Sequence, residues 1–385
     1  MSAHPDRETD MTTPHLAHDH LLRPLRENGQ WHRALDHAMT LLDQPGHDFH
    51  VIGETLLAAG RPRSAKRYGA ELPRIKSRAE PDGGFFREIS TSFAGKRKTL
   101  SWQPRRLSPD TLLAVCRAQE ALGRLDEIAH RSPTASGWGL AVRLREARQL
   151  AHLAGVHASL RETWQTHLPG NMPRIATEPV LNAHLDAVLN GHTQQKTNPS
   201  EIGGPHVVSA TLWHLGMLGA QTHAAFSGLP ALLVGVGALR DTWLPLVNAI
   251  TTHPDDYLTV LRATLETGSA EPMVAHFAHS VIDACREEAI LIDRLTTLRT
   301  QLFTAVAPGR LGRILQIAVS LATAPVLNNL RIVQQYGITP KAATGITTTL
   351  VEQGLLVPHP RCTRSAVFCN PQALYLHSGL PTNPA

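Results

Sequence analysis

The sequence lacks the apolar segments of a membrane-spanning or secreted protein. Its longest largely apolar run, residues 229–239, has 11 residues, whereas a membrane-spanning helix needs about 20. The first ten residues include three acidic side chains and no apolar stretch of the kind found in secretory signal peptides. We therefore expect no transmembrane helix and a cytoplasmic location.

Cysteine is also scarce. The four cysteines, Cys116, Cys285, Cys362 and Cys369, form no Cys-x-x-Cys pair, so neither a zinc ribbon nor a disulfide framework is expected. Histidine is abundant, with 22 copies, and the segment PHLAHDHLL near the N-terminus could offer metal ligands. A His-rich arm is the simpler interpretation, and we predict no metal and no cofactor.

Charge is sparse overall and unevenly placed. Charged residues make up 18% of the chain and the net charge is only +5. Residues 61–106 contain 13 basic and 4 acidic side chains, and residues 305–385 contain 6 and 1. Two basic segments thus lie on either side of a slightly acidic middle, a pattern that suggests contact with a polyanion.

Composition and periodicity predict a mainly α-helical protein with a small β-wing near its C-terminus. A weak similarity between residues 29–35 and 60–66, two stretches 31 residues apart, suggests N-terminal helical hairpins. The expected parts are a mobile arm (1–28), helical hairpins with a basic loop (29–106), a helical bundle (107–306), a winged helix-turn-helix (307–372) and a flexible tail (373–385).

Helix boundaries in the bundle follow from caps and glycines. Ser108 before Pro109 predicts a helix start, Pro254 opens a helix that Gly268 closes, and residues 271–306 predict one long helix. Shorter helices are expected from about residue 136 to 155, over 158–167 and over 178–189.

Residues 308–370 match the pattern of a winged helix-turn-helix. The sequence predicts helices over 311–321, over 325–336 with Thr323 as its cap, and from Thr339 to Gly354, with a tight turn at Gly337 and Ile338 before the third helix. Segments 355–357 and 366–368 would form the two strands of the wing.

The third of these helices would enter the major groove of duplex DNA. Ile338, Ala342, Ile346 and Leu350 are expected to face the core. Lys341, Thr344, Thr347 and Thr348 would then face outward, and Arg361 and Arg364 on the wing would contact phosphates. The alternative is a winged helix used for protein contact or only for packing. None of the four positions predicted to face outward is an Arg, Asn or Gln, which lowers the expected sequence specificity.

A second basic segment could also touch nucleic acid. Lys96, Arg97 and Lys98 could neutralise phosphates together with Arg105 and Arg106, and Trp102 could stack on a base. A solvated surface loop is the alternative interpretation of this segment.

Residues 229–289 resemble part of the Fic family, namely the segment after its active-site loop, with Tyr257 at the position of a recurrent tyrosine. Residues 143–164 resemble the family's N-terminal helix pair. Taken together, residues 136–190 and 229–369 are similar to plasmid-borne bacterial proteins of unknown function that carry a C-terminal helix-turn-helix.

The resemblance implies a Fic-like bundle without Fic catalysis. The family signature is His-Pro-Phe, an acid and then Gly-Asn-Gly-Arg, whose groups abstract a proton, hold a metal and bind phosphates. Residues 205–230 contain His214 and His223, but no acid, Asn or Arg follows either one. No catalytic residue is carried over.

We therefore expect a non-enzymatic protein that binds double-stranded DNA, as a transcriptional regulator or a plasmid or mobile-element maintenance factor. A homodimer or a protein partner fits the same sequence. The alternatives are a Fic-type nucleotidyltransferase with an unusual site on His214 or His223, and a protein-interaction adaptor.

Overall fold

The computed structural model describes residues 84–93, 107–156, 158–169, 205–218, 221–235, 237–240, 243–306, 312–358 and 366–378. These residues are mainly helical and include one small antiparallel sheet of three strands. None of the described helices is long and apolar enough to span a bilayer. The predicted N-terminal arm and hairpins and the predicted helix over 178–189 lie outside the described residues.

Ten helices precede residue 306 in the described part of the chain. They are α1 (Gly84–Ser92), α2 (Pro109–Arg131), α3 (Ala135–Leu153), α4 (Leu160–Thr166), α5 (His206–Leu218), α6 (Thr222–Ser227), α7 (Leu229–Gly235), α8 (Leu246–Ile250), α9 (Pro254–Thr267) and α10 (Glu271–Ala305). We refer to α2–α10 as the bundle.

The predicted helix boundaries in the bundle are confirmed where caps define them. The Ser108 hydroxyl accepts a hydrogen bond from the Thr111 amide at 3.3 Å at the start of α2, and Pro109 occupies the first turn. Gly268 ends α9 with φ of 64°, a left-handed conformation that glycine adopts without strain. The long predicted helix is α10, about 52 Å long at 1.5 Å per residue.

The α2 and α10 helices run parallel and pack along most of α2. The Ser108 amide at the start of α2 donates to Glu271 at the start of α10 at 2.7 Å. The hydroxyl of Ser132, just after α2, lies 3.4 Å from the hydroxyl of Thr296, which is in the second half of α10. Apolar side chains recur on one stripe of α10, as periodicity predicts, but the acidic Glu288 is buried among them.

Glu288 is tolerated in the core because Arg145 of α3 pairs with it. Two guanidinium nitrogens of Arg145 donate to the two carboxylate oxygens at 2.7 Å each, and the Trp138 indole donates at 3.2 Å. The Arg145 and Glu288 side chains are only 11% and 4% exposed. A bidentate pair with a third donor satisfies most of the buried polar atoms.

The next residue of α3, Glu146, is buried as well. Its carboxylate accepts from the backbone amides of Val247 and Asn248 at 2.8 and 3.0 Å, at the start of α8. Burial raises the pKa of Glu146 to about 8, although these two donors oppose the rise. Two consecutive side chains of α3 therefore join it to α10 and to α8.

Residues 312–378, which we call the C-terminal unit, follow the bundle. Their elements are α11 (Arg313–Ser320), β1 (Val326–Asn328), α12 (Asn329–Tyr336), α13 (Pro340–Glu352), β2 (Val357–Pro358), β3 (Val367–Cys369) and α14 (Pro371–His377). Strand β3 is central and antiparallel to both neighbours, with Val326 and Val357 both opposite Cys369.

Two expectations for the C-terminal unit are wrong. The predicted second helix begins with strand β1, and its cap is Asn328, which accepts from the Arg331 amide at 2.8 Å, not Thr323. Residues 326–328 are extended because β3, about 40 residues later in the chain, pairs with them. Residues 371–377 form α14, capped by Asn370, where a flexible tail was expected from residue 373.

The bundle and the C-terminal unit share their cores. Val326, Val367, Cys369 and Leu374 pack with the bundle's apolar side chains, and Leu298 and Leu302 of α10 pack with those of the C-terminal unit. At this junction a Cβ on Gly137 of α3 would overlap the Thr323 hydroxyl. The C-terminal unit is therefore packed directly on α3 and α10.

We predict that Glu288→Ala destabilises the fold by about 3–5 kcal/mol, because it leaves the buried Arg145 guanidinium without its bidentate carboxylate partner. Urea unfolding followed by circular dichroism measures this loss. The matched control is Asp283→Ala on the same helix, whose pair with Arg286 is exposed and is worth only about 0–1 kcal/mol. An equal loss of unfolding free energy in the two variants would show that the buried pair stabilises the fold no more than the exposed pair does.

Candidate nucleic-acid interface

The two helices α12 and α13 are joined by a three-residue turn. Gly337 closes α12 with φ of 62°, and its amide donates to the Val333 carbonyl at 3.0 Å. The Thr339 hydroxyl then accepts from the Ala342 amide at 3.2 Å and caps α13, with Pro340 in its first turn. Both caps match the sequence prediction for this turn.

One face of α13 is open to solvent. Lys341, Thr344 and Thr348 are exposed, as predicted, and Ala342 and Gly345 between them are exposed too. Spacings of three, four and seven residues place these positions on a single face. The result is a narrow surface of small side chains with one lysine at its N-terminal end.

The expected outward position of Thr347 is wrong. Thr347 is 1% exposed, and its hydroxyl donates to the Asn329 side-chain oxygen at 3.1 Å or to the Thr344 carbonyl at 3.0 Å. Ala343 is buried beside it, and Ala342, expected in the core, is exposed. The helix is thus turned slightly from the predicted orientation, and a hydrogen-bonded threonine occupies a core position.

Asn329 fixes the angle between the two helices. Its side-chain nitrogen donates to the Thr344 hydroxyl at 3.2 Å, while its oxygen is the acceptor for Thr347. The Thr344 hydroxyl in turn donates to the Pro340 carbonyl at 3.0 Å. Thr344 therefore has little free hydrogen-bonding capacity. Among the described residues predicted to contact DNA, Lys341 and Thr348 are the least committed to contacts within the protein.

Sequence reasoning did not identify Asn329 as a site residue. The one sequence feature that could have pointed to Asn329 is the Asn-Asn pair at 328–329. In the structure the first asparagine caps α12 and the second hydrogen-bonds to α13. Asparagine before a helix is a typical cap, but only the fold shows that its neighbour contacts residues 15 and 18 positions later.

The remaining predicted DNA-contacting residues lie outside the described residues. Arg361 and Arg364 fall within 359–365, between the paired strands β2 and β3. The basic loop residues Lys96, Arg97, Lys98, Trp102, Arg105 and Arg106 fall within 94–106. Their roles stay predictions.

The alternative enzymatic site centres on His214, which the structure encloses completely. His214 is 0% exposed. Its Nδ1 donates to the Ala225 carbonyl at 2.9 Å, so its Nε2 is the nitrogen that accepts from the Tyr257 hydroxyl at 2.7 Å. The Phe226 ring lies edge-on to it, with the ring centroids 4.8 Å apart. Neither nitrogen faces an open cavity.

Burial also sets the protonation of this pair. It lowers the pKa of His214 to about 4 and raises the pKa of the Tyr257 hydroxyl well above its usual value. Both groups are therefore neutral at pH 7 and hydrogen-bonded to each other. His223, the other candidate base, is exposed and lies beside the Phe86 ring, with centroids 5.7 Å apart.

The described residues contain no group of three or more side chains suited to hold a metal ion, and His15, His18 and His20 lie outside them. No protein-family model matches the chain, and no curated protein matches it in sequence.

We predict that stability falls as the pH is lowered from about 6.5 to about 4, partly because of His214. The unfolded chain binds a proton near pH 6.5, whereas the folded chain resists it until about pH 4, so folding is favoured above this window and weakened within it. His214→Gln keeps one donor and one acceptor and removes the titration. It should reduce the slope of unfolding free energy against pH by up to about 1.4 kcal/mol per unit. Urea titrations across this window would contradict the account if both proteins gave the same slope.

Proposed function

We propose that this protein is a non-enzymatic DNA-binding protein that contacts duplex DNA with a C-terminal winged helix. The supporting observation is the order of its last elements. Helix α11, strand β1, helices α12 and α13 and strands β2 and β3 follow one another in the order of a winged helix-turn-helix, with a glycine-containing three-residue turn before α13. In such a fold the helix at the place of α13 enters the major groove.

The exposed face of α13 suits a duplex in shape and charge. Its small side chains let the helix approach base edges, and Lys341 can contact a phosphate at the rim of the groove. Glu352 is the single acid in residues 305–385, so little charge repulsion opposes the approach. Thr348 offers a hydroxyl, which can hydrogen-bond to several base edges, and a methyl group, which can contact a thymine methyl.

The proposed role is regulation of transcription or maintenance of a plasmid or mobile element. The bundle, with its Fic-like sequence pattern, would then act as a scaffold or a dimerisation platform. The enclosure of His214, with both nitrogens hydrogen-bonded, weighs against a nucleotidyltransferase built on that residue, since a base must reach its substrate.

Fluorescence anisotropy with a labelled mixed-sequence duplex tests the proposal. We expect binding that weakens with salt. Lys341→Ala should reduce the slope of log affinity against log salt by about one. Arg286→Ala is the charge control, since it removes one exposed positive charge from α10 and should leave the slope unchanged.

Thr348→Glu tests the face itself. A carboxylate at this exposed position would be repelled by the phosphates, and we expect affinity to fall by about tenfold or more. Thr297→Glu places the same charge on an exposed position of α10 and should have little effect. Binding without salt dependence, or with equal affinity in both glutamate variants, would overturn the proposal.

A further inference from the structure

A groove between the bundle and the C-terminal unit is a second place where polar side chains converge. It has a volume of about 470 Å³ and is lined by His167, Leu168, Pro169, Arg331, Gln334 and Gln335. The first three residues follow α4, and the last three belong to α12. Grooves of this size accommodate small organic molecules.

The groove is separate from the exposed face of α13. Asn329, on one side of α12, contacts α13. Residues 331, 334 and 335 point to the opposite side at 100° per residue. The Asn328 side chain donates to the Pro169 carbonyl at 2.9 Å and so ties α12 to the segment after α4 at the edge of the groove. Both walls are therefore anchored to each other.

The described residues that line this groove include a positive charge and no negative one. No carboxylate among the described residues forms an ion pair with Arg331, although the side chain is partly buried. Burial lowers the pKa of the Arg331 guanidinium. Burial also lowers the pKa of His167, and the positive charges of Arg331 and Arg143 add to that effect. A second cation, Arg143, thus lies near enough to act on the same side chain.

Arg143 also forms no ion pair with an acidic side chain among the described residues. Its guanidinium lies 5.0 Å from the centre of the Trp243 ring, and its Nε donates to the Gly139 carbonyl at 3.3 Å. A partly buried cation normally has an anion as partner, because desolvation of a charge is costly. Around Arg331 the described residues supply hydrogen-bond donors and positive charge but no such anion.

We propose that this groove binds a small organic anion, with the guanidinium of Arg331 gripping a carboxylate or phosphate group. The fork of Arg331 can donate two parallel hydrogen bonds to either kind of oxyanion. The amides of Gln334 and Gln335 and the His167 ring can hydrogen-bond the rest of the molecule. Leu168 and Pro169 provide an apolar wall. This inference does not depend on DNA binding.

Ligand-observed NMR on the full chain tests the inference with two probes, inorganic phosphate and citrate, in separate arms. We expect saturable binding of at least one probe, and competition between the two if both bind. The tighter probe identifies the oxyanion that the groove prefers. Arg331→Gln should weaken binding by about tenfold or more, since it removes a charge-assisted bidentate contact. The control Arg286→Gln, an exposed arginine on α10, should leave binding unchanged.

A second variant tests the same site in case Arg331→Gln loses binding only because it misfolds. Gln334→Glu changes an exposed residue and places a carboxylate beside Arg331, which should fill the role of the anion and compete with either probe. Thermal unfolding of each variant checks that it is folded. Absence of saturable binding, or binding by a folded Arg331→Gln or Gln334→Glu variant that is as strong as that of the unsubstituted protein, would overturn the inference.

Discussion

The buried pair of Arg145 and Glu288 is the interaction on which the arrangement of the bundle depends most. Buried charges must be paired, and the geometry of a bidentate contact allows little rotation of either helix. Arg145 therefore sets how α3 faces α10. The adjacent Glu146 caps the start of α8, so α8 is placed by the same turn of α3.

This constraint extends to the C-terminal unit. The start of α3 carries Gly137, where the absence of a side chain lets Thr323 come close. Thr323 lies just before β1, the strand from which α12 begins. Leu298 and Leu302 at the end of α10 belong to the same apolar core as the C-terminal unit. The direction in which α13 presents its exposed face is thus a consequence of how α3 and α10 are packed.

Local signals in the sequence predicted most of the helix ends. Ser108 with Pro109, Thr339 with Pro340, and the two glycines at 268 and 337 all act over a few residues, so the sequence alone reveals them. The long helix α10 was predicted because its apolar period continues for many turns. The exposure of Lys341, Thr344 and Thr348 followed from the same helical period.

What the sequence did not predict depends on distant partners. The local sequence of β1 predicts a helix, and only its pairing with β3 shows that it is extended. Thr347 was predicted to face solvent, and only its hydrogen bond to the Asn329 side-chain oxygen explains why it is buried. The sequence does not show that Glu288 is buried, because its partner Arg145 lies 143 residues earlier in the chain. His214 drew attention as a base, and only the positions of Ala225 and Tyr257 show that it is a satisfied core residue.

The central claim is that the exposed face of α13 is the surface that meets DNA. The most direct measurement is photo-crosslinking of the full chain to a mixed-sequence duplex from a benzophenone side chain placed at Thr348, compared with one at Ile290, which is 46% exposed on α10. Crosslinks from position 348 and not from position 290 are the predicted result. Crosslinks from position 290 alone, equal yields from the two positions, or no crosslink from position 348 would contradict it.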